Sequence, residues 1–127
     1  MSDVDAVSVA PCYYHRDLAV EPREAMRGGH GKGHARTYLN PGQLTGVQAV
    51  TEMTLEPGTS IGLHPHPDNE ELYVFVRGHG EALWNEQRFP VGPGDATLCR
   101  RGEQHGLINT GGESLVFLAV LTAAVAK

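Results

Sequence analysis

The chain has 127 residues, a formal net charge of −5 and a sequence pI near 5.7. That length makes a single domain with about two-thirds of its surface buried, and the acidic balance excludes a general nucleic-acid binder. No run approaches the roughly 18 apolar residues that cross a bilayer, while 16 glycines, 8 prolines and seven histidines point away from helices toward short strands, frequent turns and a histidine-rich site.

Residues 1–40 read as a less regular N-terminal arm. The opening MSDVDAVSVA is acidic and lacks the basic-then-apolar order of a secretory signal. Cys12 and Cys99 are far apart and outside any CxxC, so the expectation is a reducing, cytoplasmic setting without a disulfide framework. Residues 19–26 offer at most a helical turn, because their apolar period is weak. Gly28-Gly29-His30-Gly31-Lys32-Gly33-His34 has no side-chain period and reads as a flexible loop. A phosphate loop would need Gly-x4-Gly-Lys followed by Ser or Thr, and here Gly33 is followed by His34. His30 and His34 are candidates for a lid ligand or a proton shuttle, with a mobile segment the plainer reading.

Residues 41–127 read as a β-barrel. From Val47 the pattern alternates, with Ala49, Thr51, Met53 and Leu55 on one face, and stops at Pro57-Gly58. Further strands are expected over 71–77, 81–84, 96–99, 106–109 and 114–121. Asn85-Glu86-Gln87 suits a hairpin tip, and turns are expected at 90–95 and 109–112. Trp84 and Cys99 read as core, and His79 as an exposed turn residue. Several strands are apolar on both faces: Leu72, Val74 and Val76 oppose Tyr73 and Phe75, and 115–121 is almost continuous. A half-exposed antiparallel strand alternates more cleanly, so a second subunit is expected over the outer face, as a homodimer.

The chemistry concentrates in His64-Pro65-His66-Pro67. A residue before proline is pushed into extended backbone, where i and i+2 side chains share a face. Two imidazoles with a carboxylate from Glu70 or Glu71 make an N/N/O cluster suited to a divalent transition metal. Period two groups Glu71 with Tyr73 and Phe75, and Glu70 with Leu72 and Val74. With the aromatic pair facing inward, Glu71 is the ligand and Glu70 turns outward; Glu71 is the favoured choice.

Gly58, five residues, His64, one, His66, four, Glu71, six, Gly78 resembles the first motif of the cupin superfamily. Gly94, five residues, Arg100, one, Gly102, two, His105, three, Asn109 resembles the second. This resemblance implies an all-β double-stranded β-helix, the jelly-roll barrel, with a metal held by His64, His66, Glu71 and His105. Arg100 stands where the second motif usually has proline, which changes the rim and leaves the ligand set intact. With Arg101 it forms a cation pair able to fork onto a carboxylate or phosphate. Tyr73, Phe75, Tyr38 and Arg100 are the candidates for lining the cavity; no general base is assigned.

Four protein ligands leave open positions on an octahedral ion for a small molecule or dioxygen. One divalent metal per chain is expected, with Fe, Mn, Ni, Zn and Cu not distinguishable. The implied function is a metal-dependent cupin enzyme acting on a small oxygenated or carboxylated molecule, dioxygenase slightly ahead of isomerase, lyase or cyclase. The alternatives are a non-catalytic small-molecule-binding cupin, as sensor or store, and a sugar or sugar-phosphate isomerase or epimerase. Neither nucleic acid nor membrane is an expected partner.

Overall fold

A computed structural model describes residues 18–124, so the acidic N-terminus and Cys12 lie outside the described residues. The strands are β1 (Glu21–Glu24), β2 (Lys32–Leu39), β3 (Val47–Leu55), β4 (Ser60–Pro65), β5 (Asn69–Arg77), β6 (Gly80–Trp84), β7 (Gln87–Val91), β8 (Ala96–Cys99), β9 (Gln104–Ile108) and β10 (Leu115–Ala123). All pair antiparallel, in a six-stranded sheet of order β1-β2-β3-β10-β5-β8 and a four-stranded sheet of order β4-β9-β6-β7. This is a jelly roll. Among the described residues no helix is long and apolar enough to cross a membrane.

Strands β3, β5, β6, β8, β9 and β10 lie where alternation and turn residues place them. β10, nearly unbroken in apolar sequence, runs between β3 and β5. The helical turn expected over 19–26 is instead strand β1 followed by a short 3₁₀ turn, Met26–Gly28. The Gly/His segment after it is not a free loop. His30 N–H donates to Ser60 Oγ at 2.9 Å and Ser60 N–H to the His30 carbonyl at 2.8 Å. Lys32 N–H donates to Thr59 Oγ1, whose hydroxyl returns a bond to the Lys32 carbonyl. Residues 25–32 form a strap across the start of β4, and Lys32 to His34 already belong to β2, which pairs with β3.

Inward residues stack in layers along the barrel. One layer runs Ala35–Met53–Phe117–Phe75 across the larger sheet and faces Ile61–Leu107–Ala82–Phe89 on the smaller. Leu55, Phe75, Leu107, Leu115 and Phe117 are fully buried there. The next layer, Thr37–Thr51–Ala119–Tyr73–Thr97, and the one beyond it, containing Glu71, turn polar. The apolar layers make the core, and the polar end makes the site.

Asn109 clamps one end. Its side chain is 1% exposed, donates to the carbonyls of Leu55 and Glu113 at 2.9 Å each, and accepts from Gly111 N–H at 2.9 Å. Gly78, at φ 86, allows the β5–β6 turn to press against β10, where a Cβ would collide with the Ser114 carbonyl.

Candidate metal centre

The position of the histidines on β4 depends on a bulge. Ile61 pairs with Leu107 and His64 with His105, so three steps along β4 match two along β9. The extra residue resets the alternation, and Ile61 and His64 both point inward although an odd number of steps separates them. Gly106, opposite the bulge, is confined there: a Cβ would come within 2.8 Å of the Ile61 carbonyl and 3.0 Å of Leu63 N. His66 follows His64 by two residues and shares its face. Both rings are buried, as is His105.

β5 brings the carboxylate from the opposite sheet. Glu71 pairs with Leu121 and Cys99 and shares the inward face with Tyr73 and Phe75. Glu70 points elsewhere, its Oε2 accepting from the exposed Arg101 N–H at 3.2 Å. His64, His66, Glu71 and His105 therefore converge, each offering one donor atom, with all four atoms within 4.8 Å of one another. His66 Nε2 lies 3.0 Å from His105 Nε2, and Glu71 Oε1 lies 3.3 and 3.2 Å from those two nitrogens. Ligands about 2.1 Å from an ion sit about 3.0 Å apart at right angles and about 3.4 Å apart at the tetrahedral angle. The observed separations are those of neighbours in one coordination shell.

The outer ring atoms fix the tautomers. His64 Nδ1 lies 2.7 Å from the Gly62 carbonyl, an acceptor only, so Nδ1 carries the proton and Nε2 the free lone pair. His66 Nδ1 is 2.6 Å from Asn69 Oδ1, and Asn69 Nδ2 donates onward to Gln48 Oε1 at 3.1 Å. Such outer partners orient metal ligands and raise their basicity.

Electrostatics agree with a cation site. Burial lowers the His64 pKa from 6.5 to about 4, keeping the ring neutral at pH 7. For Glu71, burial acts to raise the pKa, but hydrogen bonds from His105 and His66 outweigh it and leave the value lowered to about 2. Glu71 in turn raises His66 above 6.5 through their hydrogen bond. A divalent cation would satisfy the same four groups at once.

Next to this cluster is a cavity of about 260 Å³. Thr51 and Met53 of β3, Tyr73 of β5 and Ala119 of β10 form the wall of the larger sheet. The opposite side carries Ile61 and His64, and Arg23, Met26 and Arg27 of the N-terminal segment complete the mouth. Tyr73 stacks on His105 with ring centres 4.8 Å apart and planes inclined by 28°. Burial, then the Glu71 charge, raise its pKa well above 10, so it stays a neutral phenol.

Of the four side chains expected to line the cavity, Tyr73 does so. Phe75 lies one layer down in the core, edge-on to Tyr73 at 6.3 Å. Tyr38 is the extra residue of a bulge between Thr37 and Leu39 and is not among the lining residues. Arg100 is exposed in the β8–β9 turn, its N–H bonded to Glu103 Oε1 at 2.7 Å. The cavity takes its cations from Arg23 and Arg27, which motif spacing could not reveal. The signal was the glycines: a Cβ at Gly29 would collide with the Ser60 carbonyl and one at Gly62 with the Arg27 carbonyl. They mark close approach of two backbones, not flexibility. His30 and His34 are exposed and do not line the cavity, and His79 is exposed as expected. Cys99 is a buried free thiol, raised to about 11 by burial, and is inert.

The chain is 35% identical over 106 residues to an oxalate-binding protein of Thermotoga maritima, covering 83% of this chain and 88% of that one. A crystal structure from Thermotoga maritima, described as a predicted oxalate decarboxylase, superposes with a TM-score of 0.82 at 32% identity. It covers 84% of this chain and 94% of that one. A double-stranded β-helix protein from Klebsiella pneumoniae shares the fold, with a TM-score of 0.70 at 21% identity over 92% of this chain and 94% of that one. The family model for the cupin domain matches residues 51–121, which hold all four clustered residues, and the chain belongs to the cupin superfamily.

Proposed function

We propose that this protein holds one divalent transition metal through His64, His66, Glu71 and His105 and takes a small carboxylate, oxalate first among the candidates, onto it. The observation that carries the reading is the donor set: three imidazoles and a carboxylate with donor atoms within 4.8 Å of one another, His66, His105 and Glu71 at coordination-shell separations, beside a small cavity. Both the size of the cavity and the names of the Thermotoga maritima relatives favour a molecule of a few atoms. When bound, the ion supplies Lewis-acid polarisation of a ligated oxygen.

The chain's own residues do the rest. Gly62 and Asn69 hold the His64 and His66 imidazoles in the metal-ligating tautomer. Tyr73 covers His105 and presents a hydroxyl able to donate but not to act as a base. Met53, Ile61 and Ala119 keep the inner wall dry.

Lyase chemistry and plain binding remain as two outcomes of this reading, and one observation favours binding. Among the described lining residues the only imidazole and carboxylate are His64 and Glu71, both in the ligand set, which leaves no separate imidazole or carboxyl group to supply a proton. Dioxygenase chemistry, slightly preferred from the sequence, gains no support from relatives named for oxalate.

The test is metal content by mass spectrometry, followed by incubation of metal-loaded protein with oxalate under air and under argon. Formate and CO₂ in equal amounts establish a lyase, and oxygen uptake with two CO₂ and one hydrogen peroxide per oxalate establishes an oxidase. Saturable oxalate binding without product establishes a binding module. Failure to hold metal under any loading condition refutes the reading.

The same reading includes a homodimer in a reducing, cytoplasmic compartment. The outer face of β5 and its neighbours is apolar, with Leu72 between Val120 and Leu98, and Val74 between Leu118 and Ala96. Leu98 and Val76 are 40% and 53% exposed. Sedimentation of wild type against Val76→Glu tests it, a monomeric wild type being the refuting result.

A further inference from the structure

We propose that Arg27 is the specificity-determining residue of the cavity, its guanidinium holding the carboxylate oxygens of a small dianion that the metal leaves free and so selecting dicarboxylates over monocarboxylates. This rests on the carboxylate reading above and assigns its selectivity to a residue outside both cupin motifs.

The first observation is placement. Arg27 lines the cavity with His64, Glu71 and Tyr73. Its guanidinium makes no hydrogen bond or ion pair with any described residue. Arg23, at the same mouth, is already occupied by Glu21 Oε1 at 3.1 Å. Arg27 is therefore the cavity cation with its donors available, and guanidinium presents a planar fork suited to a carboxylate.

The second observation is the backbone. Arg27 is left-handed at φ 52, as is Ala25 at φ 49. Side-chain-bearing residues hold this conformation at a cost of about 1–3 kcal/mol, and only where the surroundings impose it. The surroundings here are the strap. Ala25 N–H donates to the Gly31 carbonyl at 3.0 Å, Gly29 N–H to the Met26 carbonyl at 2.8 Å, and the Arg27 carbonyl packs on Gly62 beside the bulge. One contact thus sets both the arginine and the strand that carries His64.

The third observation is charge. A divalent ion with Glu71 leaves the centre at net +1, and Arg27 brings it to +2. A dicarboxylate neutralises that sum, whereas a monocarboxylate leaves one positive charge uncompensated.

The experiment is calorimetric titration of zinc-loaded wild type, Arg27→Asn, Arg27→Gln and Arg27→Lys with oxalate and with glycolate. Glycolate chelates through its carboxylate and hydroxyl, so both probes occupy the metal, but only oxalate carries a second carboxylate. Asparagine tolerates the left-handed backbone, and agreement between Asn and Gln separates loss of charge from adjustment of the turn. The expected result is an oxalate-over-glycolate preference about tenfold smaller in both neutral variants, partly recovered in Arg27→Lys, with zinc affinity not weakened. An unchanged preference overturns the assignment and leaves the carboxylate reading standing. A loss of zinc affinity matching the loss of oxalate affinity also overturns it, because Arg27 would then act only through the fold. Wild type that binds zinc but neither probe refutes the carboxylate reading, and the role of Arg27 with it.

Discussion

Asn69→Ala isolates the contribution of a residue outside the ligand set to metal affinity. Asn69 touches the centre only through His66, accepting from Nδ1–H at 2.6 Å, and its own amide is held by Gln48. That bond pins the proton on Nδ1 and points the Nε2 lone pair toward His105 Nε2 and Glu71 Oε1. Without it the ring is free to place its proton on Nε2 or to rotate, and each competes with metal binding. Losing an outer partner of this kind weakens affinity by about 10- to 100-fold, or about 1.4–2.8 kcal/mol. Asn69→Asp keeps the acceptor and makes the bond charge-assisted, so affinity within a few-fold of wild type is expected, or tighter. Gln48→Ala releases the amide without removing the bond, and a loss smaller than that of Asn69→Ala is expected. Competition against a chromophoric chelator at fixed pH gives all four constants, and thermal melts of the metal-stripped proteins control for folding. Wild-type affinity in Asn69→Ala, with affinity lost in Glu71→Gln, would refute the argument that the outer hydrogen bond sets the tautomer.

Glu71→Gln is expected to lower metal affinity by about two orders of magnitude, and Glu70→Gln to leave it within about twofold, since Glu70 meets only the Arg101 backbone; chelator competition reads both, and the reverse order would overturn the face assignment. Asn109→Ala removes three hydrogen bonds from a fully buried site and orphans two carbonyls, so a loss of about 3 kcal/mol or more is expected by urea denaturation, with metal affinity per folded chain unchanged. For metal-stripped protein the His64 pKa is about 4 when folded against 6.5 ordinarily, so the unfolded chain binds more protons between those values and stability falls as pH drops from 6.5 to 4. Glu71, at about 2 against 4.5, removes further stability between pH 4.5 and 2, while His66, raised above 6.5, contributes stability below pH 6.5 that is lost as pH rises through its folded value. Denaturation across pH 3–7 checks this, and a flat profile between 6.5 and 4 would contradict the neutral, desolvated His64.

The barrel was legible where one face of a strand is buried and its neighbour is not. β3 shows this over Ala49, Thr51, Met53 and Leu55, and the same period selected Glu71 over Glu70 for the inward face. Proline after each histidine announced extended backbone at His64 and His66. The rest of β4 was obscured because its bulge breaks the alternation between Ile61 and His64. β1 lies at the sheet edge and has no buried residue, and β2 buries Gly33 and Ala35, too small to register as a hydrophobic face. The strap was misread for a related reason: glycine signals flexibility and close packing with the same letter, and only the partner backbone at Ser60 and Gly62 distinguishes them. Asn69 and Gln48 carried no signal, being 21 residues apart and joined only by the fold.

On the proposed reading, selectivity and metal binding rest on different parts of the chain, and the strap is where they meet. The four clustered residues come from β4, the residue just after it, β5 and β9, all inside the matched family region, and their inner neighbours Ile61, Tyr73 and Leu107 belong to the hydrophobic core cluster. The cations at the mouth come from residues 23–27, outside that region and docked on it through Gly29 and Gly62. Substituting Arg23 or Arg27 changes the charge over the cavity without altering a ligand, while the strap's backbone stays docked on β4 through His30 and Ser60 and through Arg27 and Gly62. Changing Gly62 moves both, since its Cα lies between the Arg27 carbonyl and the bulge that turns His64 inward. A barrel arranged in this way can keep one metal site while the charge at its entrance is set independently, by a segment that lies outside both cupin motifs.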